Sequence, residues 1–205
     1  MNIKRLHSIS GITLSLFIAL HLCNHFYSIF GAEEHLRLMK DLRLFYRNIV
    51  VETILLLSVG IQVTSGLLLF RKKRKTAITK FEKLHIYSGL YLAIFLIIHL
   101  TAVLGGRIYL HLDTNFYFGA AGLNSFPLNL FFVPYYGLAI ISVFGHIASV
   151  HNNKMKKIIF GLTPKRQAKF ILVTGVCLTM VIFYGLTNHL HGITIPKEYN
   201  ILIGK

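Results

Sequence analysis

Five long apolar runs divide the chain, at about 6–30, 48–70, 84–104, 131–150 and 168–187. Each can supply the roughly 20 helical residues that cross a bilayer. Polar and charged residues collect between the runs. In lipid a single chain segment satisfies its own backbone only as a helix. The pattern therefore predicts an all-α integral membrane bundle of five transmembrane helices, forming one domain over residues 1–205. The first run is not read as a cleavable signal peptide. It is too long, it carries histidines, and no small-residue cleavage site follows it. Residues 32–47 (AEEHLRLMKDLRLFYR) place Leu36, Met39, Leu42 and Tyr46 at helical spacing among charges. They predict a short amphipathic helix on the membrane surface. Residues 105–130, rich in Gly, Asn and aromatics, read as a loop with aromatic anchors. GLTPKRQ (161–167) reads as a turn, with Thr163 as N-cap and Pro164 opening the last helix.

Two of the runs carry the same phrase. Residues 6–22 read LHSISGITLSLFIALHL and residues 84–100 read LHIYSGLYLAIFLIIHL. Positions 7, 10, 14, 17 and 21 fall on one helical stripe, as do 85, 88, 92, 95 and 99. A face repeated in lipid is expected to point into the bundle. Gly11 and Gly89 lie beside it and admit a close neighbour. A weaker echo aligns SVGIQVTS (58–65) with SVFGHIAS (142–149), pairing Gln62 with His146 and Ser65 with Ser149.

Composition agrees with this reading: 54% of residues are hydrophobic, only 14% are charged, and the mean hydropathy is +0.61. The net charge of +15 has a topological cause, so no nucleic-acid partner is inferred. With the N-terminus in the cytoplasm, 15 Lys and Arg fall inside, among them Lys4, Arg5, the run Arg71 to Lys75, and Lys154 to Lys169. Seven fall outside: Arg37, Lys40, Arg43, Arg47, Arg107, Lys197 and Lys205. That asymmetry favours a cytoplasmic N-terminus in the cell membrane. The basic inner face serves topology and anionic lipid, or docks a protein partner. Cys23 and Cys177, isolated within spans, read as small buried residues without metal or disulfide spacing.

His21 and His99 each lie about 14 residues, or roughly 21 Å, beyond the histidine that opens their phrase. Both helices start inside, so both imidazoles reach the same depth in the outer half. Ionisable groups at such depth are costly and usually functional. Neutral imidazole is the common axial ligand of haem b. The competing reading is a pair of histidines bonded to neighbouring carbonyls or hydroxyls. Gln62 and His146 mark a second level nearer the cytoplasm.

RLHS with Gly11 and His21, the repeated His-Ser-Gly helix, IQVTSGLL, GHIAS and TPKRQ together resemble the single-chain cytochrome b anchor of succinate:quinone and quinol:fumarate oxidoreductases, the two-haem type. The likeness runs over nearly the whole chain. It implies an outer haem b on His21 and His99, so at least one haem. It maps an inner haem onto His146 and the position of Gln62, where glutamine departs from the pattern. It implies partners on the cytoplasmic face: an FAD-containing flavoprotein subunit, which would hold the succinate or fumarate chemistry, and an iron–sulfur subunit. This chain has neither a dinucleotide fingerprint nor a cysteine cluster for those tasks. Quinone is the implied membrane substrate.

Other candidates stay open. His7 and His85 begin their spans near the inner surface, and either bond a haem propionate or quinone or sit among headgroups. His25, one turn beyond His21, faces the outer interface or a quinone. Glu52 exchanges protons with a quinol or is a structural carboxylate. His35, His111, His151, His189 and His191 carry no assignment. The last span reads as packing. Two other functions fit the same helices: a stand-alone b-type cytochrome working on quinone, and a transporter or structural membrane protein with packed histidines.

Overall fold

The computed structural model describes residues 2–205 and is all-α, with no β-strand among them. Five helices are long and apolar enough to cross a membrane: α1 (Ile3–Phe26, continued by a 3-10 turn to Phe30), α3 (Ile49–Lys73), α4 (Lys80–Ile108), α6 (Asn129–Lys154) and α7 (Pro164–Leu186). This is a multi-pass membrane protein. Two shorter helices lie between them: α2 (Ala32–Tyr46), as its apolar spacing predicts, and α5 (Phe116–Ala120) inside the expected loop.

The spans exceed the apolar runs because caps recruit charged residues into the first turns. Thr79 and Glu82 form a capping box that starts α4 four residues before its apolar run. Asn2 and Asn48 cap α1 and α3 through their side-chain oxygens. Thr163 caps α7 with Pro164 in the first turn, as the sequence predicts. At the end of α1, Gly31 turns the chain into α2 with φ +106°, a conformation that other residues rarely adopt.

The five spans close a ring in the order α1–α3–α4–α6–α7, with α7 returning to α1. The repeated face points into it. Ser10, Leu14 and Ser88 are buried, while Ile9, Ile12 and Leu16 on α1, and Ile94, Ile97 and Ile98 on α4, face outward. Exposed Leu, Ile and Phe are the lipid-facing surface of such a bundle. The expectation for the cysteines fails: Cys23 and Cys177 are both exposed. In lipid an apolar thiol gains nothing by turning inward.

The two ends differ. The basic end carries Lys4, Arg5, Arg71 to Lys75 and Lys154 to Lys169 on short connections. The loop end is roofed by α2, α5 and the C-terminal tail. There Phe116, Ala120, Leu123, Ile140, Ile182 and Leu186 form a buried hydrophobic cluster. Asp113 ties the roof together. Its carboxylate meets Arg43 at 2.9 Å and Arg47 at 3.7 Å, and its carbonyl accepts from the Tyr199 hydroxyl at 3.0 Å.

Candidate functional site

Histidines meet at two levels inside the ring. Toward the loop end, α1 and α4 bring His21 and His99 together edge-on, with ring centroids 6.2 Å apart and planes at 67°. No hydrogen bond joins them. Phe17 stacks on His21 at 5.7 Å and Phe95 on His99 at 5.1 Å, so the repeat supplies an aromatic flank to each ring. Two metal–nitrogen bonds of ~2 Å separate facing imidazole nitrogens by ~4 Å and ring centres by ~6 Å. By centroid spacing the two imidazoles could hold one metal atom, and neutral imidazole is the common ligand of haem b. Among the described residues, no group of three or more His, Cys, Asp or Glu is arranged to hold a bare metal ion.

His21 has a competitor. His25, one turn on, brings its Nε2 to 3.2 Å from His21 Nε2. Its Nδ1 lies 3.4 Å from His35 Nε2, which also accepts from the Asn24 amide at 3.3 Å. His25 thus faces inward and links α1 to α2, rather than the outer interface. His35 is fully buried, and sequence reasoning passed it over. Its signal was its place beside Leu36 and one turn before Met39, on the apolar stripe of α2. Burial, with His21 and Arg43 as lesser causes, pushes its imidazole down to about 4. Glu52 is ion-paired to Arg107 across α3 and α4.

Toward the basic end, His7, His85 and His146 come together. His85 stacks on His146 with centroids 4.2 Å apart and planes at 26°. His7 faces His146 at 6.5 Å and 66°. The glycines of the repeat each receive a side chain of the weaker echo. A Cβ on Gly11 would stand 2.5 Å from Gln62 Nε2, and one on Gly89 would stand 3.2 Å from His146 Cε1. Gln62 is thus turned toward α1, and no hydrogen bond joins it to His146. Three buried polar atoms here lack any partner: Gln62 Oε1, His85 Nδ1 and His146 Nδ1. Buried polar atoms without partners are uncommon and mark a place where a ligand or water belongs.

Of the remaining histidines, His151 bonds Gln167 at 2.8 Å, and Gln167 donates to the carbonyls of Lys157 and Leu162. That cluster fixes the turn between α6 and α7. His189 donates to the Ile29 carbonyl at 3.1 Å. Comparison with protein-family models, with curated proteins and with solved structures yields no match for this chain.

Proposed function

We propose that this chain is the haem-carrying membrane anchor of a succinate:quinone or quinol:fumarate oxidoreductase. The approach of His21 and His99 to 6.2 Å between ring centroids, on two helices with the same sequence phrase, carries the reading. Bound between those rings, a haem b supplies one-electron transfer between quinone in the bilayer and soluble redox subunits. The two imidazoles would hold the iron, with Phe17 and Phe95 stacked on their rings. His25 would release His21 Nε2 when His21 takes up its ligand role. The basic end then faces the cytoplasm of the cell membrane by charge asymmetry. It docks an iron–sulfur subunit and a flavoprotein subunit, which hold the succinate or fumarate chemistry.

The test is a reduced-minus-oxidised spectrum with a haemochrome count per chain. His21→Ala and His99→Ala are each expected to abolish one six-coordinate haem b; two variants with wild-type haem content and spectra would refute the pair. Neutralising Arg71 to Lys75 in correctly inserted protein is expected to release soluble subunits while haem stays bound. Unchanged retention in a mild detergent would rule out this docking face. Haem-loaded protein that purifies alone from its native membrane would favour the stand-alone cytochrome.

A further inference from the structure

We infer that the cleft between α2 and the loop at Asp113 binds an anionic phospholipid, whose phosphate lies among Lys40, Arg43 and Arg47. The inference rests on the fold and is independent of the haem reading.

The charges stand on one line of the sequence. Lys40, Arg43 and Arg47 follow one another at intervals of three and four, so they share one face of α2 and its C-terminal cap. That face borders a cleft of about 420 Å³, lined also by Leu36, Met39, Leu44 and Asp113. Its size suits a small ligand group. Three cations here meet one carboxylate. Asp113 uses both oxygens on Arg43, at 2.9 and 3.1 Å, and reaches Arg47 only at 3.7 Å. Arg47 donates to Thr114 Oγ1 at 3.2 Å, and Lys40 has no ion pair among the described residues. The excess charge registers on Arg47. Burial, then the charges of Arg43 and Arg107, push its guanidinium below the usual arginine range, and Asp113 offsets them only in part. An anion among the three cations removes that excess. Phosphate suits them: guanidinium forks bond its oxygens in pairs, and lysine adds a point charge. The Arg43 end is built before any ligand arrives, because the Tyr199 hydroxyl holds the Asp113 carbonyl at 3.0 Å.

Depth identifies the source of the phosphate. Arg47 stands two residues before α3 begins at Ile49, and Arg107 lies in the last turn of α4. Two spans therefore end at the level of the cleft, where hydrocarbon gives way to headgroups. Beside the cations the surface is apolar: Leu44 is 80% exposed and Ile49 76%, with Phe45 and Val50 alongside. A free phosphate leaves that rim bare. A phospholipid covers it with an acyl chain while its phosphate meets the cations, as amphipathic helices do at an interface. The positive cleft also selects among headgroups. Choline and ethanolamine bring an ammonium back toward the cations, whereas phosphatidylglycerol brings a neutral glycerol.

Native mass spectrometry of the delipidated full chain in mild detergent tests this. The probes are phosphatidylglycerol, phosphatidylcholine with the same acyl chains, and inorganic phosphate. One phosphatidylglycerol should bind first, about tenfold tighter than phosphatidylcholine. Lys40→Gln with Arg47→Gln should weaken it roughly twenty- to thirtyfold, since each cation near an anionic lipid contributes roughly fivefold. Lys156→Gln with Lys157→Gln, an equal loss of charge at the basic end, should leave it unchanged. Should the α2 pair fail to insert, the exposed Lys40→Gln alone decides, with a loss of about fivefold. Equal affinity for the two lipids, or equal losses from the two double variants, would overturn the inference. Displacement of the lipid by millimolar inorganic phosphate would make the cleft a free-anion site and overturn the lipid assignment.

Discussion

The α1–α3 pair and the α4–α6 pair are two versions of one helix unit. In each, a glycine of the first helix receives a polar side chain of the second, Gln62 at Gly11 and His146 at Gly89. In each, a histidine one turn before that glycine opens the first helix, and another stands near its far end. The units differ in what they hold rigid. In α1–α3 the opening ring, His7, is bonded to Ser65 at 2.9 Å. In α4–α6 the matching His85 Nδ1 has no partner, and Ser149 donates to its own Gly145 carbonyl at 2.8 Å. At the other end α1 adds His25, bonded on toward His35, where α4 carries Val103. A repeated scaffold can therefore keep its notches and its depth while each copy orients a different imidazole.

The largest way to sharpen the contrast is through His35, which only the α1 unit engages. Its imidazole is held down to about 4 in the fold, against 6.5 when unfolded. The unfolded chain binds the extra proton between these values, so stability present above pH 6.5 is lost as the pH falls toward 4. Fully titrated, the effect is on the order of 3 kcal/mol. Thermal midpoints in detergent should fall between pH 7 and pH 4.5 more steeply in wild type than in His35→Gln. Identical slopes would mean that His35 binds its proton equally well in the folded and the unfolded chain.

A methyl group in the two notches should have unequal effects. Gly89→Ala presses on the ring of His146, which is hemmed in by His85, and should cost about 1–3 kcal/mol. Gly11→Ala meets only the tip of a flexible glutamine, and should cost less than about 1 kcal/mol as Gln62 swings away. Unfolding free energies of the two variants would break the comparison if their order were reversed. The smallest effect concerns the serines. Ser65→Ala removes the only partner of His7 Nδ1, a loss of about 0.5–1.5 kcal/mol. Ser149→Ala should be nearly neutral, because that hydroxyl serves only its own helix; equal losses from both would place a second partner on Ser149.

Much of this was legible in the sequence. The five spans, α2, the Thr163 cap and the inward face of the repeat all follow from helical periodicity in an apolar solvent. Depth was legible too, since 1.5 Å per residue counted from charged ends puts His21 level with His99. What a linear reading lacks is which helix stands opposite which. Aligning Gln62 with His146 gave an equal depth and suggested that they face each other. The ring order instead sets His146 against His7 and His85 and turns Gln62 to Gly11. The cysteines misled for another reason: the rule that apolar groups turn inward loses its force where the surroundings are lipid. His35 escaped because a histidine among charges resembles a solvated residue until the roof of the bundle covers it.

The ring has a consequence for biogenesis. Of its five spans, α7 closes the gap between α6 and α1. It does so through contact so tight that a Cβ on Gly185 would lie 2.6 Å from the Ile29 amide, with His189 latching the Ile29 carbonyl just beyond. Until α7 inserts, the remaining spans form an open arc whose histidine-lined interior is reachable sideways from the bilayer. Insertion of α7 is thus the step that closes this lateral route to a membrane-dissolved guest.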